Sequence, residues 1–429
     1  MKKISLITLG CPKNLVDTES MAALLGEEGY ILTNFVEEAD IVIINTCGFI
    51  RSAVEESESV IGKILENKGD KKVIVAGCLI QRYKEKVMEN KGIDGIVGTG
   101  DPGKIVEAVE KVEKGEKVVL IEENTFITEK VYPRLISTYP YAYIKISEGC
   151  ENFCKYCLIP KLRGPIRSRK IESIVEEAEK LVEMGYKEII LVAQDTTNYG
   201  KDFKDGTNLE KLLKELVKVD VKWIRIMYTH PAHIRDSLLK IIADEEKICK
   251  YIDIPLQHAH PEILEKMGRP VFDYRKLIER IRKFIPEVRI RTTFIVGFPG
   301  ENEKHFKYLV DFIKEMEFDK LGCFPYSREK GTPAYDFENQ IPEEIKEERR
   351  NIVMEIQREI SKKKLKEMVG KKIEVLIENK QDKYYKGRTE YDAPEIDGIV
   401  YIKGKNLKTG KFYKVRIKKA YEYDLYGEI

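Results

Sequence analysis

Ten consecutive residues constrain this chain more than anything else in it. Glu148-Gly149-Cys150-Glu151-Asn152-Phe153-Cys154-Lys155-Tyr156-Cys157 spaces three thiols as C-x3-C-x2-C, directly after a strand-like run from Tyr141 to Ile146. Three close thiolates hold one iron each of a 4Fe-4S cubane, whereas an electron-transfer cluster normally takes four. No fourth cysteine lies nearby, so one iron is left to bind something else. The competing reading is a structural zinc knot, which wants a fourth ligand and usually paired C-x2-C hooks.

A second trio is dispersed. Cys11, Cys47 and Cys78 each follow a predicted parallel strand, in Leu9-Gly10-Cys11, Asn45-Thr46-Cys47 and Ala76-Gly77-Cys78. In an open parallel sheet the carboxyl ends of the strands form the ligand crevice, so three distant residues converge on one rim. Gly10, Gly48 and Gly77 beside them permit close backbone approach. Cysteine is also a common small core residue, but the shared topological position points to a second metal cluster, again on three ligands. Cys249 and Cys323, without partners at ligand spacing, read as core.

A chain of 429 residues implies two or three domains. Lys plus Arg (75) nearly cancel Asp plus Glu (73), which excludes a global field driving the protein to nucleic acid or membrane. The start has no signal-peptide architecture, and no apolar run approaches the ~20 residues of a membrane span. Eight cysteines then argue for thiols or metal ligands in a reducing, cytoplasmic setting.

The fold class is α/β. Residues 1–122 alternate short apolar runs (Ile4–Leu9, Ile41–Ile44, Val73–Ala76 and a shorter Ile96–Thr99) with helical stretches, as in a doubly wound parallel-sheet domain. Residues 123–138 read as a linker. Residues 139–341 hold six strand–helix units, with strands at Ala142–Ile146, Glu188–Val192, Trp223–Tyr228, Tyr251–Ile254, Arg289–Val296 and Lys320–Tyr326. Six units predict an open, partial TIM-like barrel. Residues 342–368 form a charged connecting helix. Residues 369–429 alternate apolar with polar positions, as in a small antiparallel β-barrel.

Several residues fall on the same predicted rim as the cysteine loop and are candidate cofactor contacts. Gln194 and Asp195 end the second barrel strand, Gln257 and His258 follow the fourth, and Gly297 opens the turn after the fifth. His230, also at a strand end, is either a rim residue or structural, and His305 reads as helix surface. Arg163, Arg167 and Arg169 follow the cysteine loop and serve either an anion or ordinary capping. The tail from Val369 holds 14 Lys or Arg against 10 Asp or Glu, a mild excess that fits RNA or a solvated face.

The C-x3-C-x2-C loop resembles the cluster motif of the radical S-adenosylmethionine (SAM) enzymes, in which the amino and carboxylate groups of SAM close the open iron. Two three-cysteine sites, a partial barrel and a β-barrel tail together resemble the radical-SAM methylthiotransferase family over essentially the whole chain. The tail resembles a TRAM domain in Lys386-Gly387-Arg388-Thr389 and Asp392-Ala393-Pro394-Glu395-Ile396-Asp397-Gly398. Gly10-Cys11-Pro12-Lys13-Asn14, Asn45-Thr46-Cys47-Gly48-Phe49-Ile50, Gln194-Asp195-Thr196-Thr197 and Ile254-Pro255-Leu256-Gln257-His258 are similar to the ribosomal-protein branch more than to the transfer-RNA branch.

The resemblance implies two 4Fe-4S clusters, one on Cys150, Cys154 and Cys157 and one on Cys11, Cys47 and Cys78, with two SAM molecules used per turnover. It implies methylthiolation of the β-carbon of an aspartate in the twelfth small-subunit ribosomal protein. No protein base removes such a proton near neutral pH. The hard step therefore belongs to the cofactor, and the protein supplies placement and exclusion of water. The sulfur donor and electron donor are left unidentified. One alternative is the same chemistry on a transfer-RNA adenosine. Another, from a different class, is a non-catalytic, metal-stabilised RNA-binding protein.

Overall fold

Ile41-Val-Ile-Ile-Asn-Thr46 is buried at every position, as a strand covered on both faces must be. The computed structural model describes residues 1–123, 127, 129–135 and 139–429, with only the backbone of Glu85. Its first part is a six-stranded parallel sheet: β1 (Lys3–Thr8), β2 (Ile31–Leu32), β3 (Ile41–Thr46), β4 (Lys72–Gly77), β5 (Gly95–Val97) and β6 (Val118–Leu120). The order is β2-β1-β3-β4-β5-β6. Ile41 and Ile43 face a core shared with α1 (Pro12–Glu27) and α4 (Lys104–Glu113), while Val42 and Ile44 face α2 (Arg51–Glu66) and α3 (Cys78–Tyr83). The sheet is doubly wound, and its winding reverses between β1 and β3, where ligand crevices open. β2 and β6, at two and three residues, were too short to register as a sequence pattern.

Six parallel strands form the second part: β7 (Tyr141–Lys145), β10 (Glu188–Val192), β11 (Trp223–Ile226), β12 (Tyr251–Asp253), β13 (Arg289–Val296) and β14 (Lys320–Pro325). They make two three-stranded sheets joined by a looser seam, where Thr229 N–H donates to Asp253 O (2.9 Å) and Cys249 N–H to Ile224 O (3.0 Å). β7 and β14 do not pair, so the arc stays open. A two-residue ladder of β8 (Ser147–Glu148) with β9 (Arg167–Ser168) closes the base of the cysteine loop. The helix Glu343–Lys366 buries Lys346, Arg349, Val353, Gln357 and Ile360, a stripe at helical spacing, and packs on β14.

The tail is a closed barrel in the order β15-β16-β17-β19-β18, from β15 (Lys372–Gln381), β16 (Tyr384–Arg388), β17 (Val400–Lys403), β18 (Phe412–Ala420) and β19 (Leu425–Glu428). Its Arg388 and the loop after β16 seal the amino-terminal end of the six-stranded arc. Each of the six strands sends one side chain to this seal. Tyr141 reaches Glu395 (3.0 Å), Glu188 reaches Arg388 (2.6 Å), and Arg225 reaches the Glu390 carbonyl (2.8 Å). Tyr251 and Arg291 both reach Asp397 (2.6 and 3.0 Å), and Lys320 reaches Asp392 (2.7 Å).

Within the expected linker, residues 124–126, 128 and 136–138 lie outside the described residues. Arg134 there is buried and pairs with Glu19 of α1 and with Glu177 (2.6 Å) of the helix Ile171–Glu183, tying the first part to the second.

Candidate functional site

The Cys150–Cys157 loop owes its shape to its base. Gly149 has φ +83°, and a Cβ there would lie 1.9 Å from the Pro165 carbonyl oxygen, so no other residue fits. Cys150 N–H donates to Gly164 O (3.1 Å), Cys157 N–H to Cys154 O (3.0 Å), and Ile159 N–H to the Cys157 sulfur (3.4 Å). Burial, with the neighbouring sulfurs adding to it, pushes the Cys150 thiol up to about 11 and Cys157 to about 12. Such thiols keep their protons at neutral pH until a bound cation displaces them. The Arg269 guanidinium lies 3.8 Å from the Cys154 sulfur.

The second trio sits on three loops at the carboxyl ends of β1, β3 and β4. Cys11 caps the amino terminus of α1, and Cys78 is the first residue of α3. The loops interlock: a Cβ on Gly10 would lie 2.8 Å from the Cys47 Cβ, and one on Gly48 would lie 2.7 Å from the Cys78 carbonyl. Asn14 is buried and donates to Leu9 O and Thr46 O (3.0 Å each), stitching two of the loops together. Burial opposes ionisation of Cys11, but Lys13 and Arg163 outweigh it and hold the thiol below its ordinary value. Burial dominates at Cys78, pushed to about 11, and at Cys47, also raised. Cys78 is perturbed by both partners, which places the three in mutual electrostatic reach.

The spacing of the sulfurs shows whether either trio is drawn together as the ligands of one ion would be. Four thiolates 2.3 Å from one zinc stand about 3.8 Å apart. Among the described residues, the only groups of three ligand atoms within 4.8 Å are Asp195-His230-His233 and His260-Glu262-His305. Neither trio is that tight, although each shares one loop or rim. In the His260 group the Nδ1 atoms of His260 and His305 accept backbone N–H groups. A metal-bound imidazole instead donates through its second nitrogen, so those histidines are helix caps. His305, expected on a helix surface, is buried because it completes a capping box with Asn302.

A buried polar wall joins the trios. Arg163 reaches Cys78 of one side and Glu148, two residues before Cys150, on the other. Lys145 binds Asp17 (2.7 Å) and Glu148 (3.0 Å). Although burial works against it, Arg163 and Lys145 hold Glu148 well below the usual carboxylate range. On the far side Glu329 takes Arg51 N–H (2.6 Å) and Arg82 (2.8 Å), so the first part straddles the barrel mouth. Between the two parts is a chamber of about 550 Å³ lined by Phe49 and Ile50 after Cys47, Tyr156 of the cysteine loop, and Gln257, Thr293 and Phe324 of the barrel.

The candidate cofactor contacts divide. Asp195 accepts from Asn152 inside the cysteine loop (2.8 Å) and from Thr197 (2.6 Å), with His233 Nδ1 at 2.8 Å. Gln194 donates to Glu148. The buried Oε1 atoms of Gln194 and Gln257 have no hydrogen-bond partner among the described residues, leaving two acceptors at the rim. His258 is fully buried behind it: its Nδ1 accepts from His260 N–H, and Nε2 lies 3.4 Å from Glu301 without hydrogen-bond alignment. Gly297 gives its space to Lys346, whose Cγ a Cβ would meet at 2.3 Å. Arg169 pairs with Glu177, Arg167 donates to backbone carbonyls, and Cys249 and Cys323 are core.

Residues 3–98 match the model of uncharacterized protein family UPF0004, residues 144–313 the radical SAM superfamily and residues 369–429 the TRAM domain. A protein of Thermoanaerobacter sp. (strain X514) named ribosomal protein uS12 methylthiotransferase RimO is 48% identical over 437 residues, covering 100% of both chains. The chain belongs to the RimO family. It is a radical-SAM methylthiotransferase, and a relative of the same name from Clostridioides difficile (strain 630) is also 48% identical, over 100% of this chain and 99% of its own. Among solved structures, the radical SAM methyltransferase TsrM from Kitasatospora setae, with cobalamin and a 4Fe-4S cluster bound, matches at TM-score 0.59 and 18% identity, covering 78% and 77% of the chains. The cobalamin-dependent enzyme OxsB matches at TM-score 0.53 and 13% identity, over 78% of this chain and 54% of its own. These two likenesses concern the fold alone. The family implies an iron–sulfur cluster and SAM. Among the described residues no helix is long and apolar enough to cross a membrane.

Proposed function

We propose that this chain methylthiolates the β-carbon of an aspartate in ribosomal protein uS12, using two 4Fe-4S clusters. Cys150, Cys154 and Cys157 would hold one, and Cys11, Cys47 and Cys78 the other. When bound, the clusters and SAM supply hydrogen abstraction from an unactivated carbon and the methylthio group. The chain supplies position. Gly149 and the β8–β9 ladder fix the first loop, Asn14 and the interlocked glycine loops fix the second, and Arg163 with Glu148 fixes the distance between them. Gln194, Asp195 and Gln257 lie on the rim toward SAM, while His258 and Gly297 brace the rim from behind.

One observation carries this reading: a single chamber is walled both by residues following Cys47 and by Tyr156 between Cys154 and Cys157. Its lining of Phe49, Ile50 and Phe324 offers an apolar wall to an inserted side chain. The name of the relatives selects uS12. Free thiols at both sites suit a reducing compartment such as the cytoplasm.

The test is mass spectrometry of uS12 and of transfer RNA after incubation with reconstituted, reduced enzyme, SAM and sulfide. The expected result is one methylthio group on an aspartate of uS12 and none on the nucleosides. A gain on the nucleoside alone overturns the substrate, and intact SAM in both reactions overturns the chemistry.

A further inference from the structure

Arg163 is the one side chain among the described residues that hydrogen-bonds a thiol of the Cys11/Cys47/Cys78 trio while reaching the strand that leads into the Cys150–Cys157 loop. Its guanidinium is buried. Nε–H and Nη2–H point at the Cys78 sulfur (3.3 and 3.1 Å), Nη1–H donates to Glu148 (3.0 Å), and Nη2–H also donates to Asn14 Oδ1 (2.8 Å). Asp17 lies 3.7 Å away. This fan of contacts spans 149 positions in sequence, from the α1 side to the cysteine-loop side. The geometry points to Arg163 as a positioning residue that sets the reduction potential of the Cys11/Cys47/Cys78 site through N–H···S bonds to Cys78. This rests on the proposal that this trio carries a cluster.

The physical case has two parts. Hydrogen bonds to ligand sulfurs and nearby positive charge favour the more negative, reduced form of an iron–sulfur centre and raise its potential. The planar fork also cannot be copied by lysine, which keeps the charge but offers no second donor in a fixed plane. Among the described residues the other trio has no such forked partner: Arg269 makes one long contact of 3.8 Å to Cys154 and spends its Nη2–H on the Pro255 carbonyl.

The experiment uses the full chain with Cys150, Cys154 and Cys157 replaced by alanine, so that any cluster belongs to the other site. Its midpoint is read by redox titration followed by electron paramagnetic resonance, with iron and sulfide content measured alongside. Arg163→Met is expected to keep its iron and lower the reduced-to-oxidised ratio at fixed potential on the order of tenfold, which for one electron is 59 mV. Arg163→Lys is expected to fall between. An unchanged midpoint in Arg163→Met with full iron overturns the inference. Loss of iron in both variants overturns it too, because Arg163 then only builds the site. Absence of iron with Arg163 intact instead overturns the two-cluster reading beneath it.

Discussion

Replacing Arg388 by methionine tests the seal between tail and barrel. Arg388 is 2% exposed and donates to Glu188 (2.6 Å), Glu378 (2.6 Å) and the Asp392 carbonyl (2.7 Å). Glu188 and Arg225 are fully buried, so the four charges Glu188, Glu378, Arg225 and Arg388 balance only as a set. Methionine fills much of the volume but leaves a carboxylate uncompensated. Breaking a buried pair in this way costs about 3–5 kcal/mol. With a urea slope of ~2 kcal/mol/M, a loss of about 4 kcal/mol lowers the midpoint by about 2 M. The chain carries its own reporter: its single tryptophan, Trp223, meets Phe412 of the tail edge-on at 4.8 Å. Trp223 emission should therefore move red before helical circular dichroism is lost, and Glu188→Gln should recover part of the deficit in a double-mutant cycle. A midpoint shifted no further than by a surface substitution, or emission that changes only with global unfolding, refutes the reasoning.

Three further outcomes are expected. Burial raises Asp253 from 3.8 to about 6, despite Arg291 and the Tyr228 N–H, so the native state binds the extra proton. Stability from this group is then full below pH 4 and falls by roughly 3 kcal/mol as pH rises through 6, at 1.36 kcal/mol per unit. Asp253→Asn should flatten that slope in urea titrations between about pH 4 and 6, and an unchanged slope rejects the assignment. Gly149→Ala should lose the iron bound by Cys150, Cys154 and Cys157, measured in a chain lacking the other trio, because its Cβ meets Pro165 O. Asn14→Ala should cost about 2–3 kcal/mol by stranding the half-buried Leu9 carbonyl, the buried Thr46 carbonyl and one Arg163 N–H. Thermal shift checks this, and a change under 0.5 kcal/mol would count against the stitching role.

Much of the architecture was legible because it rests on uninterrupted apolar runs. β3, β4 and β10 are built on such runs, β13 alternates buried with half-buried positions, and the limits of all four in sequence and structure nearly coincide. The cysteines were legible because spacing marks one trio and strand ends mark the other. Arg163, Asn14 and Arg269 were not, since a buried arginine or asparagine carries no local sign of its distant partner. Glu188 and Arg388, 200 positions apart, carry no sign in sequence of their pairing and are the centre of the seal. His305 misled for the opposite reason: its helical position reads as solvent-facing, while the Asn302 cap draws its ring inward.

The seal at the amino-terminal end of the arc has a consequence for how the molecule comes into being. A ribosome makes Glu188, Arg225, Arg291 and Lys320 well before it makes Arg388, Asp392 and Asp397, so a nascent arc lacks the tail partners of these charges until the tail emerges. Excising the central segment as a minimal catalyst would leave those same groups bare. The tail barrel thus acts as a late-arriving stopper for the arc.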